Sequence, residues 1–392
     1  MTFSVFLQIV SRIVCLVLFG MLALGQIGRI SFSGQEVNGY YYEIVAGVLF
    51  ALLVIQHKLK PLRIILKYKL KAVPALFLYM FFSFFLTSFY YPFSSNAVAF
   101  FYVVRITFYT LLSFYVWFHL KTEPKFLKTH TLAITGFIFA TIGISLLQYV
   151  FFPNLEAWST GGWDIHLNRA FGVFLEPSVL GAVFGLAIGY LLLSPLPSYI
   201  RYSGIALSSA GILLTFSRGT YVAFLIAGFY YLVKLRKIKF IVLVIGIFII
   251  GLFIVPKPTG EGVNLFRVST IQSRFVDYKE SLAIFSQHFL IGIGYNHVRD
   301  SKPYANEIGT SNIVSHAGSA FHSSFLTILV TTGVLGFLLF IVSLGEIAKT
   351  SFFASLAVIF LSCLSVTDNI LLHPFVLFLF LQLIIRPYGK LR

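Results

Sequence analysis

The sequence predicts an all-α, polytopic transmembrane helical bundle of about 12 spans, with a large extracytoplasmic loop containing amphipathic helices. Three observations predict it. Apolar residues make up 58% of 392 and charged residues only 11%, against roughly a quarter charged in ordinary soluble domains. Apolar runs close to 20 residues recur along the chain, matching a hydrocarbon core of about 30 Å at 1.5 Å per residue, where helices satisfy their own backbone polar groups. Lysine and arginine, which set the net charge of +16, cluster in short segments between these runs. A nucleic-acid surface would gather them along one face, so the partner is a lipid bilayer and no nucleic acid.

The runs fall at 6–26, 38–56, 72–91, 97–118, 131–152, 177–194, 200–216, 219–233, 240–255, 322–343, 351–367 and 370–385. Between the second and third lie Lys58, Lys60, Arg63, Lys67, Lys69 and Lys71, which places that segment in the cytoplasm. Alternation from there puts 19 of 29 basic residues inside, but only Glu123 and Glu346 of the 13 acids. Both termini are then cytoplasmic, and residues 1–392 form one transmembrane domain. The first run lacks a small-residue cleavage pattern and is read as retained. Cys15 and Cys363 sit inside apolar runs without metal or redox spacing.

Two external segments, 153–176 and 256–321, exceed the usual loop length. In the second, Ile271, Phe275, Tyr278, Leu282, Phe285 and Phe289 recur at three- and four-residue spacing. That period predicts an amphipathic helix at or beside the outer membrane surface.

Ionisable groups are scarce, and those outside concentrate near 163–176, 217–220 and 267–322. Ser217-Arg218-Gly219-Thr220 joins two short apolar runs. Ser217 can cap the following helix, whose free amides favour an anion, and Arg218 adds a planar cation suited to phosphate. The bland alternative is an arginine snorkelling to headgroups. Arg274 lies on the amphipathic helix, with a salt bridge to Asp277 as its ordinary role. Beyond it Gly292 and Gly294 permit a tight turn back toward the membrane. His322 opens the tenth run, where the helix dipole favours a neutral ring able to accept a proton. Helix capping is its alternative role, and His316, Asp277 and Glu280 are rival bases. Arg169, Glu176 and Arg105 form a second tier of candidates. Arg105 lies about eight residues into the fourth span, roughly 12 Å deep, positioned to pair with Glu176, reach a lipid phosphate or snorkel outward.

Taken together, Arg169-Ala-Phe-Gly172 with Glu176-Pro177, Ser217-Arg218-Gly219, Arg274 through Gly294, and His322 with Gly333 eleven residues on resemble the O-antigen ligase and polymerase family. The resemblance spans 169–345. It implies a bacterial inner-membrane glycosyltransferase acting on an undecaprenyl-diphosphate-linked oligosaccharide donor, with Arg218 and Arg274 on the diphosphate and His322 assisting the acceptor hydroxyl. The acceptor would be a growing glycan, for a polymerase, or the lipid A core, for a ligase. Tyr278 stands where the family commonly has tryptophan, and Ser286-Gln-His288 replaces its His-Pro. Glu176-Pro177-Ser178 is closer to polymerases. Two cationic groups would stabilise the leaving diphosphate without metal or cofactor, and a one-step displacement inverts the anomeric centre. A flippase for lipid-linked glycan would also need outer cations, but paired broken spans and inverted repeats are not evident. A shape-and-division-type peptidoglycan glycosyltransferase would instead use an external aspartate such as Asp164, Asp277 or Asp300.

Overall fold

The structure, a computed structural model, describes residues 3–32, 37–65, 70–155, 166–254, 263–265, 268–302 and 320–387. In chain order come α1 (Phe3–Leu22), the antiparallel strands β1 (Arg29–Phe32) and β2 (Val37–Tyr40), α2 (Tyr41–His57), α3 (Lys60–Ile65), α4 (Ala72–Thr87), α5 (Phe93–Thr122) and α6 (Pro124–Phe151). Then follow α7 (Pro177–Leu193), α8 (Ser198–Leu214), α9 (Arg218–Lys234), α10 (Phe240–Ile254), α11 (Ser269–Gln287), α12 (Val298–Ser301), α13 (Ser324–Ala348), α14 (Phe352–Ser365) and α15 (Pro374–Ile384). The chain is an all-α membrane protein whose only sheet, among the described residues, is the β1–β2 hairpin. A helix stands at each of the twelve apolar runs. The helices α1, α4 with its following turn, α5, α6 and α13 are long and apolar enough to cross a membrane by length and composition, whereas α2, α7, α10, α14 and α15 are apolar but shorter.

Burial explains why a short helix suffices at the centre. Nearly all of α7 is buried, on every face, as expected of a helix that meets protein rather than lipid. It packs on α8, α14, α15 and α9, and its small residues let neighbours approach closely. A Cβ on Gly185 would lie 2.1 Å from the Phe360 ring of α14. Outward positions such as Phe229, Ile247 and Phe253 stay exposed, as apolar side chains of a membrane helix can where lipid is the solvent.

Polar clusters mark the two ends of the bundle. At one end, where α1 starts and α15 finishes, His57 Nε2 lies 2.8 Å from His119 Nδ1, His119 Nε2 3.0 Å from Glu123, and Arg386 donates to Thr131 and Tyr190. The candidate chemistry gathers at the opposite end, around the starts of α7, α9 and α13 and the α14–α15 turn.

The structure adds the direction of the α11 stripe and corrects the expectation for Arg105. The stripe on α11 is divided: Ile271, Phe275, Leu282 and Phe289 are exposed, Tyr278 and Phe285 partly buried, and the inward face carries Arg274, Asp277 and Ser281. Its apolar face therefore turns away from the protein, which suits an interfacial helix with lipid on that side. Arg105 neither snorkels nor pairs with Glu176. Its Nε lies 2.8 Å from Glu43 Oε1 on α2, the Asn38 carbonyl accepts from it, and its guanidinium packs 4.7 Å from the Phe101 ring. Since α5 begins at Phe93, Arg105 sits deeper than expected, where an arginine requires an acid from a neighbouring helix.

Candidate active site

A broken helix sets the frame. Within α13, Gly333 has φ 66° and ψ −173°, a conformation closed to residues with a Cβ. The break frees backbone groups, and the Gly292-Ile293-Gly294 segment takes them up. Ile293 N–H donates to the Val330 carbonyl at 3.0 Å, Gly294 N–H to Thr331 at 3.0 Å, and Val334 N–H to Phe289 at 2.9 Å. Contact is backbone on backbone: a Cβ on Gly292 would lie 2.5 Å from Thr331, and one on Gly333 2.3 Å from the Leu290 carbonyl. Ser83 on α4 donates to the Ile291 carbonyl at 2.9 Å. The end of α11 is thereby held beside α13, as the glycine pair suggests, against a helix interruption that periodicity cannot show.

From that fixed end α11 presents its polar face to the site. Arg274 Nη2 lies 2.8 Å from Asp368 Oδ1, in the turn between α14 and α15, and the Tyr278 hydroxyl donates to the Val366 carbonyl. One turn beyond Arg274, Asp277 Oδ2 accepts from the backbone N–H of His322 at 2.7 Å and faces its Nδ1 at 3.1 Å. Asp277 Oδ1 accepts from Lys302 Nζ at 2.7 Å. Burial alone would raise the Asp277 carboxyl, but hydrogen bonds from the His322 ring, Lys302 and the His322 amide pull it down to about 2. An ionised Asp277 makes Nδ1 the protonated ring nitrogen and leaves Nε2 as acceptor. The His322 side chain is 44% exposed. The N-cap of α13 is Ser323, whose side chain accepts from Leu326 N–H. His322 stands one residue before the cap.

The start of α9 closes the other side. Ser217 caps it, accepting from Thr220 N–H at 3.4 Å and the Thr220 hydroxyl at 2.9 Å. Arg218 follows as the first helical residue, donates to the Leu265 carbonyl at 3.2 Å and feels the charges of Arg274 and Asp368. Gly219 fits against the turn, its Cβ position 3.2 Å from Asp368 Oδ2. Arg169 is buried and donates to the carbonyls of Thr215 at 2.8 Å and Phe216 at 3.3 Å. It braces the turn that carries Ser217 and Arg218.

Asp368 is the hub. Burial raises its carboxyl while Arg274 opposes, and Glu176 and His322 also act on it electrostatically. Glu176, just ahead of α7, accepts from Ser178 at 2.9 Å and lies 3.7 Å from His166 Nε2. Its burial, which would raise the carboxyl, is outweighed by His166, Ser178 and Arg169, which hold it at about 2. Among the described residues, no group of three or more His, Cys, Asp or Glu is arranged to hold a metal.

Of the residues singled out in the sequence, the fold gathers Arg218, Arg274, His322, Asp277 and Glu176 at one end of the bundle. Ser217 serves as the cap of α9 and Arg169 donates to backbone carbonyls, and Arg105 belongs to a separate network with Glu43. Arg274 pairs with Asp368, not with Asp277, because Asp277 is turned toward Lys302 and His322. Asp300 lies 3.1 Å from His297 and accepts from Ser95 at 2.8 Å. His316 and Asp164 fall outside the described residues. Sequence reasoning passed over Asp368, Lys302 and Glu43. The available signal for Asp368 was an acid in the short gap between the last two apolar runs.

Residues 203–341, about a third of the chain, match the family model described as O-antigen ligase. That stretch runs from α8 into α13 and contains Arg218, Arg274, Asp277, Lys302, His322 and Gly333. No curated protein matches the chain.

Proposed function

We propose that the chain, which matches the O-antigen ligase family model over residues 203–341, is a glycosyl-transferring membrane enzyme of polysaccharide biosynthesis that joins a lipid-diphosphate-linked glycan to a sugar hydroxyl on the outer face of the bacterial inner membrane. The carrier is undecaprenyl diphosphate. The single observation that carries this reading is the Arg274–Asp368 ion pair at 2.8 Å, with Gly219, next to Arg218, packed against the same carboxylate and His322 held by Asp277 one turn along α11 from Arg274.

Arg218 and Arg274 take the diphosphate, and the free amides at the start of α9 add to the field that favours an anion there. The acceptor oxygen attacks the anomeric carbon, its proton passes to His322 Nε2, and the carbon–oxygen bond to the diphosphate breaks. The electron pair leaves with undecaprenyl diphosphate, whose developing charge the two guanidiniums stabilise. Attack opposite the leaving group inverts the anomeric configuration, and no metal is needed. In this reading the chain crosses the membrane twelve times with both termini in the cytoplasm, α11 lies at the outer interface, and Glu176 contributes to sugar binding.

Polymerisation is favoured over ligation by Glu176-Pro177-Ser178, with a growing chain as acceptor instead of the lipid A core. The test is purified protein in detergent, supplied with lipid-linked repeat units and no transmembrane gradient. Longer lipid-linked glycans are the expected product. Transfer only to added lipid A core would make it a ligase, and binding without turnover would move the reading to transport. Arg218→Ala, Arg274→Ala and His322→Ala should abolish transfer while leaving membrane insertion intact.

A further inference from the structure

The imidazole of His322 is held by a device that spans three separate segments. Asp277 on α11 uses Oδ2 for both the backbone N–H and Nδ1 of His322, at 2.7 and 3.1 Å, and Oδ1 for Lys302 Nζ at 2.7 Å. Lys302, just after α12, also donates to the Ala320 carbonyl at 3.2 Å and lies 4.5 Å from the Phe321 ring centroid. The carboxylate and the ammonium are both buried, with side-chain exposures of 7% and 9%. Such a pair is costly to bury and strongly directional once formed. Arg274, on the same face of α11, is committed to Asp368, so it does not compete for Asp277.

We propose that Asp277 and Lys302 are a positioning pair for the reaction: Lys302 fixes Asp277 and the 320–321 backbone, and Asp277 fixes His322 with Nδ1 protonated and Nε2 turned to the acceptor. This rests on His322 being the base. A carboxylate bound to ring and backbone of the same residue removes two freedoms at once, rotation of the ring and choice of tautomer. A carboxylate bound by lysine on its other oxygen cannot turn away. Neither residue touches substrate. Lys302 makes the start of α13 depend on α11, so the base and the Arg274 cation are set by one helix.

The test uses the full chain in detergent with selectively ¹⁵N-labelled histidine, the His322 signals being identified by their loss in His322→Ala. In the wild type the ring should show a protonated Nδ1 and an unprotonated Nε2, and Asp277→Ala should remove that preference. Asp277→Ala and Lys302→Met should each lower kcat tenfold or more, out of the roughly 10²–10⁴-fold that a positioned base supplies, with KM for the donor unchanged. Lys302→Arg should restore most of the rate. The double variant should be little worse than either single one, because the two act as a unit. Should alanine at 277 prevent folding, Asp277→Asn keeps the shape while removing one acceptor oxygen, and the same fall is expected. Wild-type kcat in Lys302→Met, or an unchanged His322 tautomer in Asp277→Ala, would overturn the pair. Full activity in His322→Ala would instead remove the base itself, an outcome distinguishable because the tautomer signal stands independently of turnover.

Discussion

Arg274 and Asp368 meet at 2.8 Å across the gap between α11 and the α14–α15 turn, 94 residues apart in sequence. The aspartate binds the guanidinium through Nη2 and so fixes the orientation of the Arg274 fork. Asp368→Ala should therefore lower kcat/KM about 10²-fold, the cost of misplacing a reacting group by around 1 Å. Steady-state transfer from lipid-linked donor measures it, and an unchanged rate would show that Arg274 is aligned by other contacts.

Arg218→Lys keeps the charge at the start of α9 but loses the planar fork. Lysine is a point charge and cannot grip two oxygens in parallel, so donor transfer should drop at least tenfold while expression holds. Donor titration of the purified variant decides it, and wild-type kinetics would mean that charge alone is required.

Gly333→Ala tests the break in α13. The residue sits at φ 66°, and a Cβ would meet the Leu290 carbonyl at 2.3 Å, so strain of about 1–3 kcal/mol adds to a steric clash. Thermal unfolding in detergent should begin at lower temperature, with transfer lost in parallel. Gly345, whose Cβ would meet nothing within 4 Å, should accept alanine.

The carboxyl of Asp277 is held at about 2, below its ordinary value of 3.8. A group depressed on folding contributes stability that is fully present above its unfolded value and is lost as pH falls through the folded one. The His322–Asp277–Lys302 contact should thus be intact at neutral pH and fail between about pH 4 and 2. Melting temperature against pH in that window should fall less steeply in Asp277→Asn than in the wild type.

Arg105→Ala should act on folding. Removing one partner of the buried Glu43 pair costs about 3–5 kcal/mol, so the variant should be poorly recovered from membranes. Replacing both residues with apolar side chains should restore much of the yield.

How much was legible in the sequence differs by feature. The twelve helix positions followed from run length, because lipid demands long uninterrupted apolar segments whatever their neighbours. Ser217 as a cap and the inward turn at Gly292 and Gly294 were also readable, since both depend on local backbone chemistry. Asp368 and Lys302 were not, because their partners lie 94 and 25 residues away. The direction of the α11 stripe was not readable either: period locates an apolar face, but in a membrane that face can meet lipid as readily as protein.

The sequence by itself determined that this chain lives in a bilayer, where its helices run, and which few charged residues the lipid would tolerate only at its surface. Tertiary structure alone decided how those residues are partnered: Arg274 with Asp368, His322 with Asp277 and Lys302, Arg105 with Glu43. The reason is one of range. Helix formation and membrane insertion are governed by energies summed over neighbouring residues, whereas a buried charge is satisfied by whichever opposite charge the packing of distant helices brings within about 3 Å.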